Sequence, residues 1–184
     1  MRLFIAVPLA EEARTEVGAV LRRLREHDWP VRWVREEGLH LTLKFFGEVT
    51  TDRVDAIVEM LNFATAGMTP MTFRLVGAGG FPPGARQPRV INLGVDADPS
   101  CELLQDRIER GAEQLGFPPE GRPFRPHVTL GRVREGQRLQ AGWQSELERI
   151  PASTAFLADR VVLFESELTP SGPTYAIRRE IKLG

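Results

Sequence analysis

The chain has 184 residues, 42% apolar and 27% charged, enough to bury a sizeable core and unlike a fibrous or disordered composition. Its 24 basic residues nearly cancel 25 acidic ones, leaving a net charge of -1; that excludes a protein coating nucleic acid by overall charge, so a polyanion would need a local patch. The single cysteine, Cys101, excludes an internal disulfide framework and a cysteine-based metal site, and no apolar run approaches the ~18 residues of a membrane span.

The opening MRLFIAVPLA is too short and too soon charged for a signal peptide, which makes a cytoplasmic location the default expectation. Residues 2–9 read as a strand. Glu11 to Arg25 reads as a helix, with Ala13, Val17, Val20, Leu21 and Leu24 on one face. Val31 to Val34 is a short strand. Residues 39–46, LHLTLKFF, form a clear strand closed by Gly47, and Thr50 or Thr51 caps a second helix with Val54, Ile57, Val58 and Leu61 as its stripe. Residues 70–76 return as a strand. The glycine- and proline-rich stretch 77–89 reads as a loop and fits neither a dinucleotide fingerprint nor a P-loop.

Residues 89–95 form the next strand, and Asp98-Pro99-Ser100 opens a helix carrying Leu104, Ile108, Ala112 and Leu115 on one face. A strand follows at 127–133, then a weaker helix at 138–149. Strands at 159–166 and 174–181 flank the turn Thr169-Pro170-Ser171-Gly172-Pro173 and form a hairpin. The order strand, helix, strand, helix, strand occurs twice. Leu3 and Val90 sit equivalently in the leading strands, and the two His-x-Thr-Leu segments lie 87 residues apart. A constant offset across different elements marks an internal duplication. The expectation is an α+β fold in one domain, 1–184, with repeat halves at about 1–76 and 89–181.

Two of the three histidines open the matching segments His40-Leu41-Thr42-Leu43 and His127-Val128-Thr129-Leu130. With the period of two of a strand, His40, Thr42 and Lys44 share one face, as do His127 and Thr129. Phe45 and Arg132 fall on the opposite faces if the strands run regularly. A pseudo-twofold axis between the halves would bring the two His/Thr faces to one cleft. Two imidazoles titrating near neutrality can serve as acid and base, and two hydroxyls can hold the oxygens of one tetrahedral anion. A zinc site is the weaker reading, because a third ligand at suitable spacing is lacking. His27, at a helix end, reads as a cap or surface residue.

The ordered set RLFIAVPL, Trp33-Val34, LHLTLKFFGEV at 39–49, FRPHVTLGRV at 124–133 and LFES at 163–166 resembles the 2H phosphoesterase superfamily, most closely its RNA 2',3'-cyclic phosphodiesterase, or 2'-5' RNA ligase-like, branch. The resemblance implies a two-lobed α+β domain, duplicated about a pseudo-twofold axis. Antiparallel sheets would line a central cleft and helices would pack outside. It implies metal-independent hydrolysis of RNA 2',3'-cyclic phosphate ends to 2'-phosphate ends, in some members with 2'-5' joining. It requires no cofactor. The implied partner is RNA with a cyclic phosphate end, tRNA halves included, and no membrane or protein partner is implied. By motif position His40 is the proton donor, His127 the proton acceptor, and Thr42 and Thr129 bind phosphate. The alternatives are a cyclic phosphodiesterase of small nucleotides and a non-catalytic module that holds RNA ends.

The residues around the motifs supply further candidate substrate contacts. Lys44 lies on the polar face of the His40 strand. Arg125 and Arg132 flank the second motif, the latter reaching the cleft only through a bulge or by snorkelling. Arg86 and Arg89 bracket the loop before the second half, where they could guide an RNA backbone. Phe46, Phe81 and Phe124 could stack on a terminal base, whereas Phe45 reads as core.

Overall fold

A computed structural model describes residues 1–169 and 172–184. The first half comprises β1 (Arg2–Pro8), α1 (Glu11–Arg25), β2 (Val31–Trp33), β3 (His40–Glu48), α2 (Val54–Thr65) and β4 (Met71–Phe81). The second comprises β5 (Val90–Ala97), α3 (Pro99–Gln114), β6 (His127–Val133), α4 (Trp143–Glu148), β7 (Ala155–Ala158), β8 (Arg160–Thr169) and β9 (Gly172–Lys182). The fold is α+β, a curled antiparallel sheet with helices packed outside it. No described helix is long and apolar enough to cross a membrane.

The duplication shows in the strand order β7-β4-β5-β6-β3-β1-β8-β9, with β2 alongside β6. Each half's leading strand pairs with its motif strand: β1 with β3, and β5 with β6. The other edge of each leading strand is taken by a strand from the opposite half, β8 against β1 and β4 against β5. The expected sheets are therefore one continuous sheet, joined at its centre by the single residue pair Leu41 and Val128 of β3 and β6. Every helix turns an apolar face to this sheet or to its neighbours. The α1 stripe of Ala13, Val17, Val20, Leu21 and Leu24 is buried as its spacing predicts, and α3 starts where Asp98 accepts a hydrogen bond from the Ser100 backbone and Pro99 opens the helix.

Several boundaries differ from the sequence reading. β4 runs on through 77–81, the first part of the expected loop, because Gly80 lets the Trp143 ring come where a Cβ would sit 2.6 Å away. β3 continues past Gly47 to Glu48, and α2 begins after a 3-10 turn at Thr51–Arg53 rather than at a threonine side-chain cap. The weak helix at 138–149 shrinks to Trp143–Glu148. The four-residue β7, which the sequence reading missed, adds an edge against β4. Of the expected hairpin turn, Pro170 and Ser171 lie outside the described residues; the strands on either side pair antiparallel up to Thr169 and Gly172.

Candidate active site

The two motif strands meet at Leu41 and Val128, whose side chains are fully buried in the core. The alternation of a strand then turns His40 and Thr42, and likewise His127 and Thr129, to the other face. Each imidazole is oriented in the same way. His40 Nδ1–H donates to the Gly38 carbonyl at 2.7 Å, and His127 Nδ1–H donates to the Arg125 carbonyl at 2.8 Å. A carbonyl can only accept, so both rings carry hydrogen on Nδ1 and leave Nε2 for chemistry. Neither the Thr42 nor the Thr129 hydroxyl is engaged by another described residue.

The cleft holds about 1160 Å³ and is lined by His40, Thr42 and Thr129; His127 opens β6 just outside that lining. The environments of the two histidines differ. His40 lies among Phe4 (ring centroids 4.8 Å apart), Tyr175 (5.4 Å, edge-on) and Phe164 (6.2 Å). Burial among these rings pulls its pKa down to about 4. The Gly38 carbonyl opposes the shift, and the charge of a nearby protonated His127 adds to it. Burial also raises the Tyr175 hydroxyl above its ordinary value, with Arg132 pulling the other way.

Matching bulges lie just past the two motifs. On β3, Thr42 pairs with Ala6 and Lys44 with Ile5, leaving Leu43 as an extra residue. On β6, Thr129 pairs with Asn92 and Gly131 with Ile91, leaving Leu130 extra. A bulge reverses the facing of the side chains that follow it up to the next irregularity, which on β3 leaves Phe46 extra. Lys44 is thereby turned away from the cleft. It is 3% exposed, and its Nζ donates to Glu109 Oε1 at 2.7 Å and to the Pro118 carbonyl at 2.9 Å. Its expected place on the His40 face is corrected accordingly. Phe45, read from the sequence as core, is 44% exposed and lines the cleft instead. Arg132, off-face in a regular strand, lines it too.

The other candidates lie outside the cleft lining. Phe46 packs edge-on against Phe117. Phe81 carries the Arg122 guanidinium over its ring, Phe124 packs partly buried against the core, and Arg86, Arg89 and Arg125 are exposed, with Arg125 serving the site through its carbonyl. The sequence reading missed Arg2, Phe4, Arg25, Arg32 and Tyr175, all of which line the cleft. Among the described residues no three His, Cys, Asp or Glu side chains cluster as metal ligands.

A family model described as the 2'-5' RNA ligase superfamily matches residues 10–170. The chain belongs to this superfamily. Within it, a relative from Methanothermobacter thermautotrophicus named RNA 2',3'-cyclic phosphodiesterase is 35% identical over 177 residues, 95% of each chain. A relative of the same name from Thermotoga maritima is 33% identical, over 98% of this chain and 94% of its own. Among solved structures, TT0787 of Thermus thermophilus superposes with a TM-score of 0.83 at 28% identity, covering 100% of this chain and 98% of that one. The E. coli LigT complex with 3'-AMP superposes at 0.78 and 26% identity, over 99% and 97% of the two chains. A shared superfamily accounts for both motifs standing in matched strands of one curled sheet.

Proposed function

We propose that the protein hydrolyses RNA 2',3'-cyclic phosphate ends to 2'-phosphate ends by paired acid-base transfer, without a metal ion. One observation carries the reading: two imidazoles with Nδ1 tied to a carbonyl and Nε2 free, beside two unengaged threonine hydroxyls on the same sheet face. The names and near-full coverage of the relatives support it.

In this scheme the threonine hydroxyls donate to the non-bridging oxygens of the cyclic phosphate and stay with them as negative charge builds. His127 Nε2 accepts a proton from a water molecule that attacks phosphorus opposite O3'. The bond from phosphorus to O3' breaks as His40 Nε2–H gives its proton to that oxygen. Phosphorus stays on O2', and each histidine ends with the proton state its partner began with. A 5'-hydroxyl in place of the water would give a 2'-5' linkage by the same steps. Phe45 offers an exposed ring for the terminal base.

The test is incubation with EDTA and an RNA ending in a 2',3'-cyclic phosphate, with 2'- and 3'-phosphate products resolved. A 2'-phosphate product at an unchanged rate is expected. A predominantly 3'-phosphate product, or a loss of more than about tenfold reversed by zinc or manganese, refutes the scheme.

A further inference from the structure

The two halves surround their histidines unequally. In the first, the row running outward from Thr42 is Ala6 on β1 and Val162 on β8, both buried. Phe4 and Phe164 pair beside that row and, with Tyr175, wall in His40. The matching row of the second half is Thr129, Asn92 on β5 and Gly79 on β4. Directly paired residues face the same side of a sheet, so Asn92 and Gly79 look out on the face that carries Thr129. Both are only half-buried. His127 likewise has a glycine, Gly94, as its partner on β5.

The result is a shelf of sheet nearly bare of side chains. A Cβ at Gly79 would touch only Asn92 Oδ1, at 3.8 Å, and one at Gly77 would meet nothing within 4 Å. The Asn92 amide forms no hydrogen bond with any described residue and offers both donors and an acceptor. Phe81, next on the same face of β4, is half-buried, with the Arg122 guanidinium 5.4 Å from its ring centroid. None of the cleft lining comes from β4 or β5, so the shelf is a separate surface, and β6 with His127 stands between the two. In-line displacement puts the nucleophile and O3' on opposite sides of phosphorus. With His40 at O3', the nucleophile enters from the His127 side, over the shelf. A water molecule needs no such surface. A 5'-hydroxyl arrives with a ribose and base attached, and a floor of glycine backbone admits them where side chains like those of Val162 and Phe164 would stand in the way.

We propose that the Asn92–Gly79 shelf is an acceptor site, which seats the 5'-terminal nucleoside of a second RNA strand ending in a free 5'-hydroxyl. The inference rests on the reading of His127 as base and His40 as acid. The 5'-oxygen bonds to phosphorus as its proton passes to His127 Nε2, and the bond from phosphorus to O3' breaks as His40 Nε2–H protonates that oxygen. The product is a 2'-5' phosphodiester, and no further reactant is consumed.

The test incubates an RNA ending in a 2',3'-cyclic phosphate with a 5'-hydroxyl dinucleotide and measures joined over hydrolysed product in wild type, Gly79→Leu and Asn92→Ala. The ratio cancels any loss of folded protein. It should fall about tenfold or more in Gly79→Leu, which fills the shelf, and about threefold or more in Asn92→Ala, which removes its hydrogen bonds. A ratio unchanged in both variants, or a wild-type protein that hydrolyses and never joins, overturns the proposal. Binding of the 5'-hydroxyl dinucleotide, with the cleft saturated by a 2'-mononucleotide, reads the shelf without turnover. An inert wild-type protein that still binds the dinucleotide, and binds it more weakly in both variants, would refute the catalytic reading alone. Binding indifferent to both variants would refute the acceptor site.

Discussion

His40 should titrate near pH 4 in the free protein and much closer to neutrality once a phosphodiester is bound. With a pKa of about 4, only about one imidazole in a thousand is protonated at pH 7. A proton donor needs more than that. Half-protonation at pH 7 requires a rise of about three units, or about 4 kcal/mol. One negative charge 4 Å from the ring supplies about 4 kcal/mol at an effective dielectric constant of about 20, and half as much at 8 Å. The substrate's own phosphate is thus sufficient to charge its acid, provided its oxygens lie against the imidazole rather than a nucleotide away. The assay is NMR titration of the imidazole Cε1–H, assigned by its loss in His40→Gln, with and without a saturating unreactive phosphodiester. A midpoint that stays near 4 in the complex would falsify the donor role of His40. A free midpoint near 6.5 would show that the rings of Phe4, Phe164 and Tyr175 do not desolvate it.

Replacing either His40 or His127 by alanine should cost at least about 10² in turnover, and the double variant should be little worse than either single one, because the two act as a unit; near-wild-type turnover in either folded variant counts against the pair. The depressed pKa of His40 also links to stability. The unfolded chain binds the proton more readily, so this contribution is complete above about pH 6.5, declines as pH falls toward 4 and levels off below. It totals at most about 3 kcal/mol, and urea melts of His40→Gln should be flatter than wild type across that window. Lys44→Met should lower stability by roughly 1–3 kcal/mol, since it leaves the partly buried Glu109 carboxylate without its cation and with only the Glu120 N–H as a close donor, and adding Glu109→Leu should restore most of the loss; thermal melting of the single and double variants checks this, and a single variant as stable as wild type contradicts the pair's contribution.

The facing of the motif histidines and threonines was legible because strand alternation is a local property. Leu41 and Val128 had to go inward, so the neighbouring histidines and threonines had to go the other way. Alternation failed one residue later. Nothing in Leu43-Lys44-Phe45 or Leu130-Gly131-Arg132 announces an extra residue. Each bulge is set by pairing with a strand distant in sequence, β1 or β5. The error therefore fell on Lys44 and Phe45, whose roles exchange, while Arg132 reaches the cleft through a bulge, one of the two routes the sequence reading allowed it. The single-residue junction between β3 and β6, the contact of Tyr175 with His40 and the placing of Arg32 beside Arg132 are likewise non-local, each joining segments far apart in the chain. The stretch 77–81 misled for a different reason. Its glycines mark a close approach of Trp143 within a strand, a pattern that reads the same as a loop until the partner is known.

The exchange of β4 and β8 between the halves means that neither half owns a complete sheet. A polypeptide of only half this length, built on the same plan, would satisfy its backbone hydrogen bonds by swapping its last strand with a second copy. The product would be a symmetric dimer with one histidine per subunit at a shared seam. Fusing the two copies end to end keeps that architecture and frees the twins to diverge. Position 45 could become an aromatic ring while its counterpart 132 became a cation, and one imidazole could be walled in by Phe4 and Tyr175. A symmetric ancestor would offer a ribonucleotide two equivalent orientations. The fused chain, with unlike groups at its two ends, offers an asymmetric phosphate ester a single matching orientation.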